Sequence, residues 1–245
     1  MKIKGIVFDK DGTLLDYERC WYPVTLAAIE QVAAKYPGAE VCREGIKSRL
    51  GLLPDGSMDI DGPHCRGLHP EIAMAFLDEY EAAGIEYDRD TLIADVGEGF
   101  RTSLPYGEVV PICDGMRELL ESLKKQGIKL GLITSDTIYG ARHTLSKLGI
   151  ADAFEVLLTN DGEHPAKPAP YYMTVFERET GLSPDEILMV GDTFSDIDFG
   201  INAGTHTLGV AKTEKNRRKL ETKAEFVSYD ITDIFNVLGK IEGDS

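Results

Sequence analysis

The sequence predicts an α/β protein: a doubly wound parallel sheet of Rossmann-like type with an inserted, mostly helical second domain. Short apolar runs, "KGIVF", "IKLGLIT", "FEVLLT", "ILMVGD" and "THTLGVA", each end in a polar or glycine-containing turn. Stretches of helical period lie between the later runs, and strands that alternate with helices build parallel sheets covered on both faces. The first run stands apart, because residues 17–110 between it and the second hold few strand-like segments.

In chain order, "KGIVF" leads straight into Asp9-Lys10-Asp11-Gly12-Thr13. Residues 17–110 contain "VTLAAIEQVAAKY" and "PEIAMAFLDEYEAAG" as helices. Between these, "GLLPDGSMDIDGPHCRGLH" is rich in Gly, Pro and Asp and reads as a loop or small flap. "GMRELLESLKKQG" spaces Met116, Leu119, Leu120 and Leu123 as one helical face, closed by a lysine pair and Gly127. One βαβ crossover then follows another from about residue 112 to about 212. The expected division is a core of 1–16 and 111–245 with a helical insert of 17–110.

The 245 residues carry 26 Lys and Arg against 42 Asp and Glu, a net charge of -16. So acidic a chain argues against nucleic acid as a partner, because phosphate-backbone binding needs a basic surface. The early charges of "MKIKGIVFD" and the absence of any run near ~18 apolar residues argue against a secretory signal and a membrane span, so a cytoplasmic location is expected. Cys20, Cys42, Cys65 and Cys113 form no C-x-x-C pair and are expected as free thiols.

Ligands of open parallel sheets bind beyond the carboxyl ends of the strands, so the residues that close each run carry the functional argument. Those residues are Asp9 to Thr13, then Thr134-Ser135-Asp136, then Thr159-Asn160-Asp161 with Lys167 beyond, then Gly191-Asp192. Extended backbone would point Asp9 and Asp11 to one side. Adjacent carboxylates repel and call for a cation, and Asp192 offers a third oxygen for a hard ion such as Mg²⁺. Lys167 and the Thr134 hydroxyl suit the oxygens of a phosphoryl group. Surface or capping roles are expected for Asp136 and Asp161. The cluster His64-Cys65-x-x-x-His69 lacks the spacing of a zinc site and reads as part of the flap. Trp21 and Tyr22 either line a substrate entrance or pack a hinge.

With these residues in order, the sequence resembles the haloacid dehalogenase-like superfamily. The match is carried by "DKDGT" (Asp9 to Thr13), "LITS" (ending in Thr134 and Ser135), "AKPAP" (Lys167) and "GDTFSD" (Asp192 and Asp196). The insert is similar in position and helical character to the cap of phosphoglycolate phosphatases and β-phosphoglucomutases. The resemblance implies a Mg²⁺-dependent phosphatase acting on a small phosphorylated metabolite. Asp9 would be the nucleophile that forms an aspartyl phosphate, and Asp11 the acid and base. Gly12, Thr134, Ser135 and Lys167 would meet the phosphate. The metal would be held by Asp9, the backbone carbonyl of Asp11, and Asp192, with Asp196 behind them. The rivals are a phosphomutase with the same core and a second phosphate site in the cap, a dehalogenase, and a non-catalytic binding protein. Candidates for that second site are Arg43, Lys47, Arg49 and Arg66, set among carboxylates such as Asp55, Asp59 and Asp61. Lys10 replaces the usual apolar residue of "DKDGT" and is similar to the lysine in the Asp-Lys-Thr-Gly-Thr of P-type ATPases. Strand alternation predicts that its side chain turns away from both carboxylates, into a structural or solvated role.

Overall fold

The computed structural model describes residues 2–59, 62–65 and 69–243, the side chains of His69 and Pro70 excepted. The chain divides into two compact units, Tyr17–Val110 and the combination of Met1–Asp16 with Pro111–Ser245.

The first unit is built from α1 (Tyr17–Ala33), α2 (Arg43–Leu50), α3 (His69–Ala83) and α4 (Arg89–Ser103). They close on Ile29, Val32, Ile46, Phe76, Tyr80, Leu92 and Val96. Helix α1 starts ahead of Pro23, although proline cannot donate to the carbonyl four residues back. That carbonyl, of Arg19, accepts the Glu108 N–H at 3.1 Å instead. Helices α1 and α4 meet at Gly99, where a Cβ would stand 2.9 Å from a Val32 methyl. The expected flap contains an antiparallel bridge between Leu52 and Met58 and leads to His64. Asp61 and Arg66 lie outside the described residues, as does the side chain of His69. The buried His64 ring meets the Tyr17 hydroxyl at one nitrogen and the Thr25 hydroxyl at 2.8 Å at the other. Trp21 and Phe100 rings flank it, each 5.6 Å away between centroids. Both nitrogens thus serve the packing of this unit. The neighbouring Tyr22 hydroxyl donates to the Leu53 carbonyl at 3.2 Å.

The second unit is a six-stranded parallel sheet. Its strands are β1 (Gly5–Phe8), β2 (Lys129–Thr134), β3 (Val156–Thr159), β4 (Ile187–Gly191), β5 (His206–Val210) and β6 (Phe226–Ser228), in the order β3-β2-β1-β4-β5-β6. The helices are α5 (Met116–Lys125), α6 (Ile138–Leu148), α7 (Tyr171–Thr180), α8 (Phe194–Ala203), α9 (Glu214–Leu220) and α10 (Ile234–Gly243). Side-chain alternation gives the sheet two apolar faces. Ile6, Phe8, Leu130, Leu132, Leu188 and Val190 pack against the α5 face foreseen from its spacing and against α10. Val7, Ile133, Ile187 and Met189 pack against Tyr172, Met173 and Phe176 of α7 and Phe199 of α8. The doubly wound sheet expected from the sequence is therefore present, with β6 as an additional edge strand. The strand order reverses at β1, so the carboxyl ends of β1, β2 and β4 border the crevice that such a reversal opens. Among the described residues no helix is long and apolar enough to cross a membrane.

Candidate active site

Strand β1 stops at Phe8 and the chain doubles back at once. The Lys10 carbonyl accepts N–H groups from Leu14 and Leu15 at 2.9 and 3.2 Å, and the Gly12 N–H donates to the Leu15 carbonyl at 2.9 Å. Gly12 sits at φ +81°, the left-handed region that glycine enters without cost, and a Cβ there would strike the Asp192 carboxylate. The contribution of Gly12 is conformation and clearance, since its own N–H is committed to the turn. The Thr13 hydroxyl donates to Asp192 Oδ1 at 3.3 Å.

Strand β4 delivers Asp192 one residue past its end, and the first turn of α8 delivers Asp196. Thr193 caps α8 in a reciprocal box, its N–H and hydroxyl meeting Asp196 Oδ2 at 3.1 and 2.6 Å. The other oxygen of Asp196 accepts from Lys167 Nζ at 2.6 Å. The same ammonium donates to Asp9 Oδ1 at 2.6 Å and to the Ile133 carbonyl at 3.2 Å. Oxygens of Asp9, Asp192 and Asp196 lie within 4.8 Å of one another. Thr134 closes β2, buried, with its hydroxyl accepting the Asp136 N–H at 3.2 Å, and Ser135 follows half-buried in the bend.

This concentration of acid has an electrostatic cost. Burial pushes the Asp9 carboxyl up to about 7, against the pull of Lys167 and with a further push from Asp196 and Asp11. Burial, then the charges of Asp196 and Asp9, hold the Asp192 carboxyl well above the carboxylate range. Lys167 stays charged because the attraction of Asp196 and Asp9 outweighs its burial. A set of hard oxygen donors with more anionic charge than one ammonium neutralises fits Mg²⁺. Asp9 and Asp192 are the side chains suited to hold it, since both oxygens of Asp196 are already engaged.

A pH-dependent metal response follows. Without a cation, folded Asp9 keeps a proton that the unfolded chain, with its ordinary value of 3.8, releases between about pH 4 and 7. The metal-free protein therefore loses stability as pH rises through that window, and a cation restores it by replacing the proton. Millimolar Mg²⁺ is expected to raise the melting temperature by several degrees at pH 8 and by less than about one degree at pH 5. Scanning calorimetry checks this, and an equal shift at both values would contradict the site.

Two residues depart from expectation. Lys10 does not turn away from the carboxylates and is not solvated. It is fully buried, with Nζ 2.8 Å from Asp11 Oδ2 and 2.9 Å from Asp136 Oδ2. Alternation fails because β1 ends at Phe8, so residues 10 and 11 belong to the turn. Asp136 correspondingly holds a buried ion pair rather than a surface position. The missed signal was Lys10 itself: a lysine in an otherwise buried segment needs an anion, and Asp136 ends the neighbouring strand. Asp161 does cap its own loop, accepting the N–H groups of Glu163 and His164 at 2.9 and 3.0 Å.

Comparison with known proteins accords with this arrangement. Residues 3–204 match the model of the haloacid dehalogenase-like hydrolases. The N-acetylmuramic acid 6-phosphate phosphatase of Pseudomonas aeruginosa is 27% identical over 212 residues, covering 86% of this chain and 82% of that protein. The pyrophosphatase PpaX of Bacillus cereus is 27% identical over 239 residues, 97% of each chain. Among solved structures, a Haemophilus somnus protein described as a predicted phosphoglycolate phosphatase superposes with a TM-score of 0.70 at 21% identity. It covers 97% of this chain and 98% of that one, a likeness of fold.

Proposed function

We propose, for a chain that belongs to the haloacid dehalogenase-like hydrolase family, that it is a cytoplasmic phosphatase cleaving a small phosphate monoester with Asp9 as nucleophile. The observation that carries this reading is the Lys167 ammonium, bonded at 2.6 Å to both Asp9 and Asp196 beside Asp192. Its charge favours the ionised, nucleophilic form of Asp9 against the push of burial, at the end of β1 beside the crevice where the strand order reverses. The phosphatases among its relatives support the same class of chemistry.

An Asp9 oxygen attacks phosphorus, forming an O–P bond as the bond to the leaving oxygen breaks. Asp11 gives that oxygen its proton, then accepts one from the water that displaces phosphate from Asp9. Thr134, Ser135 and Lys167 supply donors to the phosphoryl oxygens, while the capping box of Thr193 and Asp196 fixes Lys167 from behind. When bound by Asp9, Asp192 and the Asp11 carbonyl, Mg²⁺ supplies positive charge against the phosphate dianion.

The test is a panel of phosphorylated metabolites assayed for phosphate release with and without Mg²⁺. Asp11→Asn is expected to lower kcat/KM for an alkyl phosphate by about 10²-fold or more, and much less for an activated aryl phosphate, which leaves without a proton. Equal losses would contradict the acid role of Asp11.

A mutase would need a second phosphate site. Arg43 pairs with Glu30 at 2.7 Å, Lys47 with Glu44 at 2.8 Å, and Arg49 with Asp78 and Glu79 at 3.1 and 2.5 Å. With these cations engaged inside their own unit, β-glucose 1-phosphate is expected to give no appreciable glucose 6-phosphate. Efficient isomerisation dependent on a bisphosphate primer would overturn the hydrolytic reading.

A further inference from the structure

Lys10 is an unusual residue to find fully buried at the end of an apolar strand. Burial alone would pull its ammonium toward the neutral form, yet the charges of Asp11 and Asp136 more than offset that and keep it protonated. Its two ion pairs are unlike each other. The Asp136 end is anchored: its Oδ1 accepts the Thr137 N–H at 2.6 Å, its own N–H donates to Thr134, and its carbonyl accepts from Asn160 at 3.3 Å. Gly140 leaves room for it, since a Cβ there would collide with the Asp136 carboxylate. The Asp11 end lies in the turn after β1, with its side chain only partly buried.

We propose that Lys10 and Asp136 are positioning residues that hold the Asp11 carboxylate in one orientation, through a fixed anion, a buried ammonium and the working carboxyl group in series. This rests on the acid role read for Asp11 above. Asp136 fixes the ammonium, and the ammonium biases Asp11 toward the rotamer that makes the 2.8 Å ion pair. The lysine thereby restricts the freedom of a group that must meet the leaving oxygen within hydrogen-bond distance. It touches no substrate atom in this scheme, so its effect is confined to the proton.

That confinement gives the test. Lys10→Met keeps the stem and removes the ammonium, Asp136→Asn removes the anchor's charge, and the double variant removes both charges together. Each is compared with wild type and Asp11→Asn by kcat/KM, which reports steps through the first phosphoryl transfer, on an alkyl phosphate and an activated aryl phosphate. Lys10→Met is expected to lose about 10-fold or more on the alkyl substrate and less than about 2-fold on the aryl one. Asp136→Asn is expected to show the same selectivity to a smaller degree. The single lysine variant leaves Asp136 without its cation and melts lower, and the double variant recovers melting temperature while keeping the selective loss. If recovery of melting temperature restores the alkyl rate, or if both substrates lose equally, the ion pairs are structural alone and the inference falls. If Asp11→Asn itself shows no selectivity, the acid role of Asp11 falls, and this inference with it.

Discussion

Asp9→Asn is expected to reduce phosphate release by at least about 10³-fold while the protein folds as before. An amide matches the carboxylate in shape but is a poor nucleophile, so the first displacement has no substitute group in place. Stability should not suffer. Asp9 pays for its ionised form, with burial pushing its carboxyl to about 7, so a neutral side chain is tolerated at least as well at pH 8. Lys167 retains Asp196 as an ion partner at 2.6 Å. Activity and melting temperature are measured on the same preparation, and a folded variant that keeps more than a trace of turnover removes Asp9 from the nucleophile's position.

Lys167→Met is expected to damage both activity and stability. The ammonium is buried, and its loss leaves Asp9 and Asp196 facing each other without the cation between them. Breaking a buried pair by deleting one partner costs about 3–5 kcal/mol, because a charge remains in a poorly solvating medium. Phosphate release should fall by about 10²–10³-fold as a donor to the developing phosphoryl charge is removed. The stability loss carries a pH signature. Asp9 can take up a proton when the lysine is absent, so urea unfolding should show a smaller deficit at pH 5 than at pH 8. A deficit independent of pH would mean that Lys167 acts by packing and not by charge.

Much of this site was legible because parallel sheets concentrate chemistry at strand ends. The five apolar runs are all strands, and Asp9, Thr134 and Asp192 stand at or just past the ends of β1, β2 and β4. What escaped had short-range causes. Strand β6 is three residues long, below the length at which an apolar pattern separates from its surroundings. The start of α1 at Tyr17 is hidden by Pro23, whose orphaned acceptor finds Glu108, a partner far along the chain. Lys10 escaped because period-two alternation holds only while the backbone stays extended, and β1 ends two residues earlier. The commitment of the Gly12 N–H to Leu15 is also a property of the turn that no spacing reveals.

The strand order has a consequence for assembly in time. Strand β1 long precedes its sheet neighbours, β2, beginning at Lys129, and β4, beginning at Ile187. As the chain is synthesised, residues 5–8 must wait through the whole of 17–110 and beyond before any partner exists, whereas α1 to α4 find one another locally. Closing such long loops costs entropy that is repaid only when the far strand docks. A strand made before residues 17–110 is thus paired only after them. Kinetic pulse labelling of backbone amides should show protection at Val7 and Met189 rising together, after that of α1 and α4.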